Sequence, residues 1–406
     1  MADQVTRVTK QSWFSRLGKA FSGMLAGVVL VFGSAGVLVW NENRAVQTER
    51  ALTEGAGAVI SLDENGYAPP PYPDDFNSRD ELIHVTGRLE VPNRMYLRDN
   101  FTLPKAVPET ATRLERVVEM YQWKESSKSE TRNKLGGGTE TVTTYSYAMG
   151  WSETEQNSGS FAEPTGHQNP PMPYKSETYS EDRRLVVGES TWKVGADKVA
   201  QLGTAEPVQL SQADVDELTF WVRGSNTPVA LSQNALYLGQ NPMRPQIGDL
   251  RISYRVAQAD TASVVAMDDM PDLVPFTTSN GREIYLIAEG KVAAADMFAK
   301  AQADNVTLTW LWRGGGVFAM FVGFGLVFGL LGVIADVIPV LGSVVRFGTG
   351  LISFGLTLIL APLVIGLAWI AVRPVLAFGL IGAGLVLGGL LVWRARKAPA
   401  AQGEAA

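Results

Sequence analysis

The chain has 406 residues, a formal net charge of −6 at pH 7, no cysteine and two histidines, His84 and His167. Without cysteine there is no disulfide framework, thiolate metal site or thiol nucleophile, and two histidines leave little material for imidazole chemistry. Residues 41–308 hold 25 of the 35 Lys and Arg but 38 of the 41 Asp and Glu, an acidic surplus that excludes binding nucleic acid through its phosphates.

Residues 1–20 carry Arg7, Lys10, Arg16 and Lys19. They are expected to form a basic amphipathic segment at the cytoplasmic membrane surface, with Trp13, Phe14 and Leu17 near one face. The run Phe21–Trp40 has no charge, and at ~1.5 Å per residue a helix of that length covers the ~30 Å hydrocarbon core. Gly33-Ser34-Ala35 has the small residues of a signal-peptide cleavage site, but the apolar run continues through Trp40, which suits an anchor better. Residues 41–309 read as an extracytoplasmic α+β domain. It opens with a helix through Leu52, followed by a Pro- and Asp-rich loop over 64–80.

Alternation and β-branched enrichment predict strands at Ile83–Val91, Leu114–Trp123, Thr141–Trp151, Arg184–Val187, Leu218–Val222, Leu250–Val256, Ser263–Met267 and Glu283–Ile287. Lys134–Gly138 reads as a mobile hairpin tip, and helices are expected at Trp192–Leu202, Ser211–Leu218 and Val292–Ala303. Few candidate strands are separated by a crossover helix, so the domain should be mixed and mostly antiparallel.

Three further spans follow at 310–334, 349–372 and 375–393. A cytoplasmic interfacial elbow is expected at 335–348, an outer turn at Arg373–Pro374 and a cytoplasmic tail at 394–406. The fold class is therefore α+β with four transmembrane helices, one N-terminal and three C-terminal, the large domain lying between the first and second. Both ends are basic and the number of spans is even, so both termini are expected in the cytoplasm and the acidic domain in the periplasm, or in a lumen. Gly23-x-x-x-Gly27, Gly325-x-x-x-Gly329 and Gly384-x-x-x-Gly388 pair small residues on one helical face, a pattern for helix packing within or between chains.

Several separated stretches resemble one family, LUMA (the transmembrane protein 43 family). They are Asn41–Ala45, Val117–Trp123 with Glu119, Tyr121 and Trp123, Tyr145-Ser146-Tyr147 with Trp151, Gly166–Pro170 with His167 and Asn169, Gly248-Asp249-Leu250-Arg251, Leu273–Phe276 with Pro275, and Asp336–Val340. The resemblance implies one N-terminal span, a large extracytoplasmic domain and three C-terminal spans. Animal members reside in the endoplasmic reticulum and inner nuclear membrane, self-associate, and help organise complexes that include lamins and emerin. The flanks depart from that pattern, and the basic–apolar–acidic layout fits a bacterial inner-membrane protein equally well; in a bacterial member lamin partners do not carry over, whereas a eukaryotic member would sit in the endoplasmic reticulum or inner nuclear membrane.

No metalloprotease, Walker or nucleophile-elbow pattern is present. Gly136-Gly137-Gly138 leads into no helix and reads as a turn. Glu119 shares a strand face with Tyr121 and Trp123, and one carboxylate without a placed partner specifies no mechanism. His167 is better suited to fixing a loop than to binding metal, and Ser126-Ser127-Lys128 lacks a placed oxyanion donor. The sequence thus leads to a non-enzymatic, self-associating scaffold without cofactor, catalytic residue or metal site. Its expected partners are membrane lipid, itself and other membrane or envelope proteins. The alternatives are an envelope enzyme using domain carboxylates, or an accessory subunit of a transporter or channel.

Overall fold

The computed structural model describes residues 3–69, 72, 77–91, 107–221, 227–370 and 374–397. Parts of the 64–80 loop, the end of the strand expected at Val222, Arg373 of the expected turn and the last nine residues of the tail lie outside them. The main elements, in chain order, are strand β1 (Asp3–Gln11), helix α1 (Trp13–Ala58), the long strands β2 (Ala111–Asn133) and β3 (Thr139–Ser152), strand β4 (Leu250–Gln258), and helices α2 (Ala294–Ala335), α3 (Pro339–Trp369) and α4 (Pro374–Lys397). They fall into two compact units, one mainly of sheet (1–5, 51–128 and 144–301) and one mainly of helix (6–50, 129–143 and 302–406).

The sheet-rich unit is mixed and mostly antiparallel, as the scarcity of crossover helices predicts. Its first sheet runs in the order β1, β3, β2, β4, Ala235–Leu238, Val229–Ser232. Along β2 the even positions Leu114, Val118 and Met120 are buried with Ile252, Tyr254 and Leu218 in one core, while Glu119, Tyr121 and Trp123 share the other face. In the second sheet Leu82–Glu90 pairs with both Thr261–Asp269 and Arg183–Val187. Ser190–Val194 and Asp272–Val274 complete the circuit into a small closed barrel around Val85, Leu185, Trp192 and Val264. A third cluster joins Leu52 near the end of α1 to Met297 and Phe298 at the start of α2.

Two local expectations are overturned. The strand expected from Leu218 is instead the end of a helix, Gln212–Trp221. The Asp214 carboxylate reaches back to accept from the Ser211 N–H (2.7 Å) and hydroxyl (2.6 Å), the return half of a capping box, which favours a helix start here. The helix expected over Trp192–Leu202 begins as strand Ser190–Val194, with Trp192 and Val194 buried and Lys193 outside. Only Ala196–Val199 is helical.

In the helix-rich unit, α1 is one unbroken helix of 46 residues, covering the expected first span and the predicted helix after it. The first residues of the expected amphipathic segment form β1 instead. The expected elbow narrows to Asp336–Ile338, because Pro339 takes the first helical position of α3, where its missing N–H is no loss. Among the described residues α1, α2 and α3 are long and apolar enough to cross a membrane. Leu38, Met320 and Ala361 meet in their common core. Gly27 and Gly323 let α1 and α2 approach so closely that a Cβ on Gly27 would lie 2.6 Å from the Gly323 carbonyl.

Candidate functional site

On the outward face of β2, Arg251 of β4 stands opposite Glu119 in the register, and its Nη2 donates to Oε1 at 2.8 Å while Nε donates to Oε2. The guanidinium lies 4.7 Å from the centre of the Trp151 ring, with Tyr121 and Tyr237 edge-on to that ring. Tyr237 donates to Asp249, which also accepts from the Gln246 N–H at 2.7 Å. Burial, then the hydrogen bond to Asp249, pushes the Tyr237 phenol well above its ordinary range. Glu119, Trp151, Tyr237 and Arg251, with Ser232, Gln233 and Ser253, line a recess of ≈ 160 Å³. Gly248 adopts φ +96°, which places its N–H on the Tyr121 carbonyl at 2.9 Å and aims Asp249 at the tyrosine.

Two residues along β2 a second cluster begins. Asn169 accepts from the Trp123 N–H (2.7 Å) and donates to the Trp123 carbonyl (3.0 Å), replacing a strand neighbour with a side chain. His167 stacks on Tyr147 with ring centres 3.9 Å apart and meets Trp123 edge-on. Its Nδ1 donates to the Glu163 carbonyl (2.9 Å) and its Nε2 lies 3.3 Å from Asp3. Glu125 accepts from the Tyr147 hydroxyl (2.7 Å) and the Ala162 N–H (2.5 Å).

Seven of the eight motif residues singled out in the sequence thus converge on one strand face and its flanking loop. Pro275 does not; it lies between the short strands Asp272–Val274 and Phe276–Thr277. Glu119, Glu125 and Asp249 each accept from fixed donors, and an arrangement of saturated carboxylates is suited to shape and recognition. Among the described residues no group of three or more His, Asp or Glu is placed to hold a metal ion.

The helix-rich unit holds two polar clusters whose pairing the sequence does not reveal. Glu42, 1% exposed, receives both arms of Arg313 (2.6 and 2.7 Å) and the Trp369 indole N–H, and the guanidinium also lies over the rings of Trp310 and Trp369. Beside it Asn41 donates to the Thr309 carbonyl, and Arg44 donates to Asn305 and Thr309. Asp336, fully buried, accepts from Arg16 and Arg346. Arg16 also donates to the carbonyl of Gly137 at the hairpin tip, and Trp13 donates to the Val333 carbonyl at 3.0 Å. Each cluster ties partners from separate helices, and an isolated charge at the edge of an apolar run is the one signal that marks them in advance.

Of the six glycines in the three small-residue pairs, Gly27 abuts α2 and Gly388 abuts Ile359. Gly384 approaches Pro362, and a Cβ at Gly23, Gly325 or Gly329 meets nothing within 4 Å among the described residues. Gly316 and Gly323, outside the pairs, face Leu38 and Val31.

Apolar helices of membrane-crossing length joined to a sheet-rich domain define a multi-pass membrane protein. The family model for Transmembrane protein 43 matches residues 120–374, and the chain belongs to that family. It is 28% identical over 404 residues to Transmembrane protein 43 of Homo sapiens, covering 97% of this chain and 94% of that protein. It is equally 28% identical over 387 residues to the Transmembrane protein 43 homolog of Drosophila melanogaster, covering 92% and 94%. No solved structure matches the chain.

Proposed function

We propose that the chain is a non-enzymatic membrane scaffold that associates with itself and offers its sheet-rich domain to other membrane or envelope proteins. The observation that carries the reading is the state of the carboxylates at and beside the domain's motif residues. Glu119, Glu125 and Asp249 are bound to Arg251, Tyr147 and Tyr237, so the motif builds a rigid aromatic and ionic face with no acid–base pair poised for turnover. Such a face, rich in Trp, Tyr and Arg, has the composition of protein-binding hot spots. In a bacterial host the domain is periplasmic, and Arg16, Lys19 and Arg346 hold the Asp336 end of the helices at the cytoplasmic side.

The test is the native mass of the complex extracted from its own host in membrane discs. Multiples of the 43.9 kDa chain are expected. A single copy, alone or with one different protein, would remove self-association from the reading.

A further inference from the structure

Glu42 and Arg313 bond to each other, so the chain leaves and re-enters the helix-rich unit at one level. Between them, at Gly136 and Gly137, it meets the opposite level. The Gly137 carbonyl accepts from Arg16, the Gly136 N–H donates to the Val337 carbonyl at 3.3 Å, and the Trp13 ring fills the space where a Gly137 side chain would sit. If the helices cross a bilayer, a connection that starts and ends at one face and touches the other in between has crossed twice more. The crossing segments are the distal arms of β2 and β3. From the tip β1 runs back along β3 as a third. A tilted strand needs about 9–11 residues to cross; β1 has 9, and each arm has about ten.

Neither face of these strands suits lipid. Exposed Ser129, Thr131 and Asn133 alternate in β2 with exposed Lys128, Glu130 and Arg132. The sheet also has two open edges. β4 parts from β2 at Met120, no other strand takes its place further along among the described residues, and β1 ends the sheet on the other side. Strands cross hydrocarbon only when their edges are closed, and three strands cannot close on themselves.

We propose that the outer edge of β1 pairs with the edge of β2 beyond Met120 in a second copy of this chain. Repeated head to tail, the pairing closes a ring of polar strands around water, inside a jacket of the helices. Both edges run in the same direction from root to tip, so one rotation about the membrane normal repeats the contact, and a head-to-tail contact makes a ring where that rotation closes. The charges agree in height. Thr131 faces Thr141, Ser129 faces Thr143 and Lys10 reaches Glu140, which brings Arg7 of one edge level with Ser129 and Glu130 of the other. The proposal rests on the self-association and membrane crossing read above, and it adds the surface through which copies join. It also carries the first residues of the chain back from the cytoplasmic face, where sequence charge alone would leave them.

The chain has no cysteine, so introduced thiols report without background. Thr9→Cys is combined in turn with Ser127→Cys, Ser129→Cys and Thr131→Cys, and membranes are treated with an oxidising catalyst. Within one chain these positions lie across β3, about 10 Å apart and beyond the ~7 Å reach of a disulfide. At least one pair should lose its monomer band to a ladder of two, three and more chain masses, while each single variant stays monomeric on the gel. Ser129→Cys alone should react with a membrane-impermeant maleimide in intact membranes, and this reading holds even if a double variant folds poorly. A multimeric native mass with no ladder from any pair would leave self-association standing and overturn this interface. A ladder joined to a protein of different mass would overturn the choice of partner. A thiol at 129 reactive only after detergent would overturn the water-filled ring, and a single-copy native mass would overturn both proposals.

Discussion

His84 is buried, its Nε2 lies 2.9 Å from the Val292 carbonyl, and its Nδ1 is buried without a hydrogen-bond partner in the structure. The neutral ring fits, with Nε2–H donating. A second proton would place an unsatisfied charged N–H in the core, so burial depresses the pKa despite the carbonyl. With the folded value below the unfolded one, the unfolded chain binds more protons between the two, and stability rises with pH there. His84 therefore makes stability fall as pH drops through the ordinary histidine value near ~6.5, and the loss is complete below the depressed folded value. Thermal unfolding at pH 7.5 and 5.0 should drop further for the native chain than for His84→Gln, which keeps a donor to Val292 and does not titrate. Equal drops would exclude this assignment.

Glu42 makes the complementary case. Replacing it with Ala strands Arg313 in a nearly closed site, which is expected to cost about 3–5 kcal/mol. The thermal midpoint of the solubilised protein should fall markedly, and an unchanged midpoint would mean that the arginine finds water. The sequence makes Glu42 visible as part of a motif and hides its role, since its partner lies 271 residues away and no local rule links them. Glu119, Tyr121 and Trp123 are legible as a shared strand face because period two fixes them. Their gathering with Arg251 and Asn169 depends on strand register and loop path, which local pattern does not encode.

Among elements, the apolar helices are the most legible, because a bilayer permits few alternatives to an uninterrupted helix. The helix misread as strand at Leu218 and the strand misread as helix at Trp192 both come from short apolar stretches. There a capping carboxylate at Asp214 or a two-residue alternation decides the outcome, and periodicity alone is ambiguous. Helix contacts are legible as a residue type and not as positions. Gly27 meets Gly323 across the interface, whereas Gly23 faces open space. Gly27→Leu should therefore destabilise the helix-rich unit by about 1–3 kcal/mol through overpacking, and Gly23→Leu should stay within about 0.5 kcal/mol. Unfolding of the two variants in matched detergent separates these outcomes, and similar losses at both sites would mean that the contact at Gly27 yields.

At the scale of the molecule, the family and the membrane class follow from matches that cover nearly the whole chain. What the sequence does not disclose is that the hairpin tip reaches the Asp336 end of the helices. A polar hairpin reads as a solvent-exposed excursion, and the contacts of Gly136 and Gly137 tie its tip to the membrane unit. The two buried carboxylates also set a length. Arg16 and Glu42 are 26 positions apart on α1, and Arg313 and Asp336 bracket 23 steps of the chain along α2, so at ~1.5 Å per residue the ion pairs sit about 35–39 Å from each other. Because both ends are bolted, α1 and α2 are poorly able to slide past one another to suit a thinner or thicker bilayer. Hydrophobic mismatch then falls on the lipids, which must stretch or compress around the protein, and membranes of different thickness should sort it accordingly.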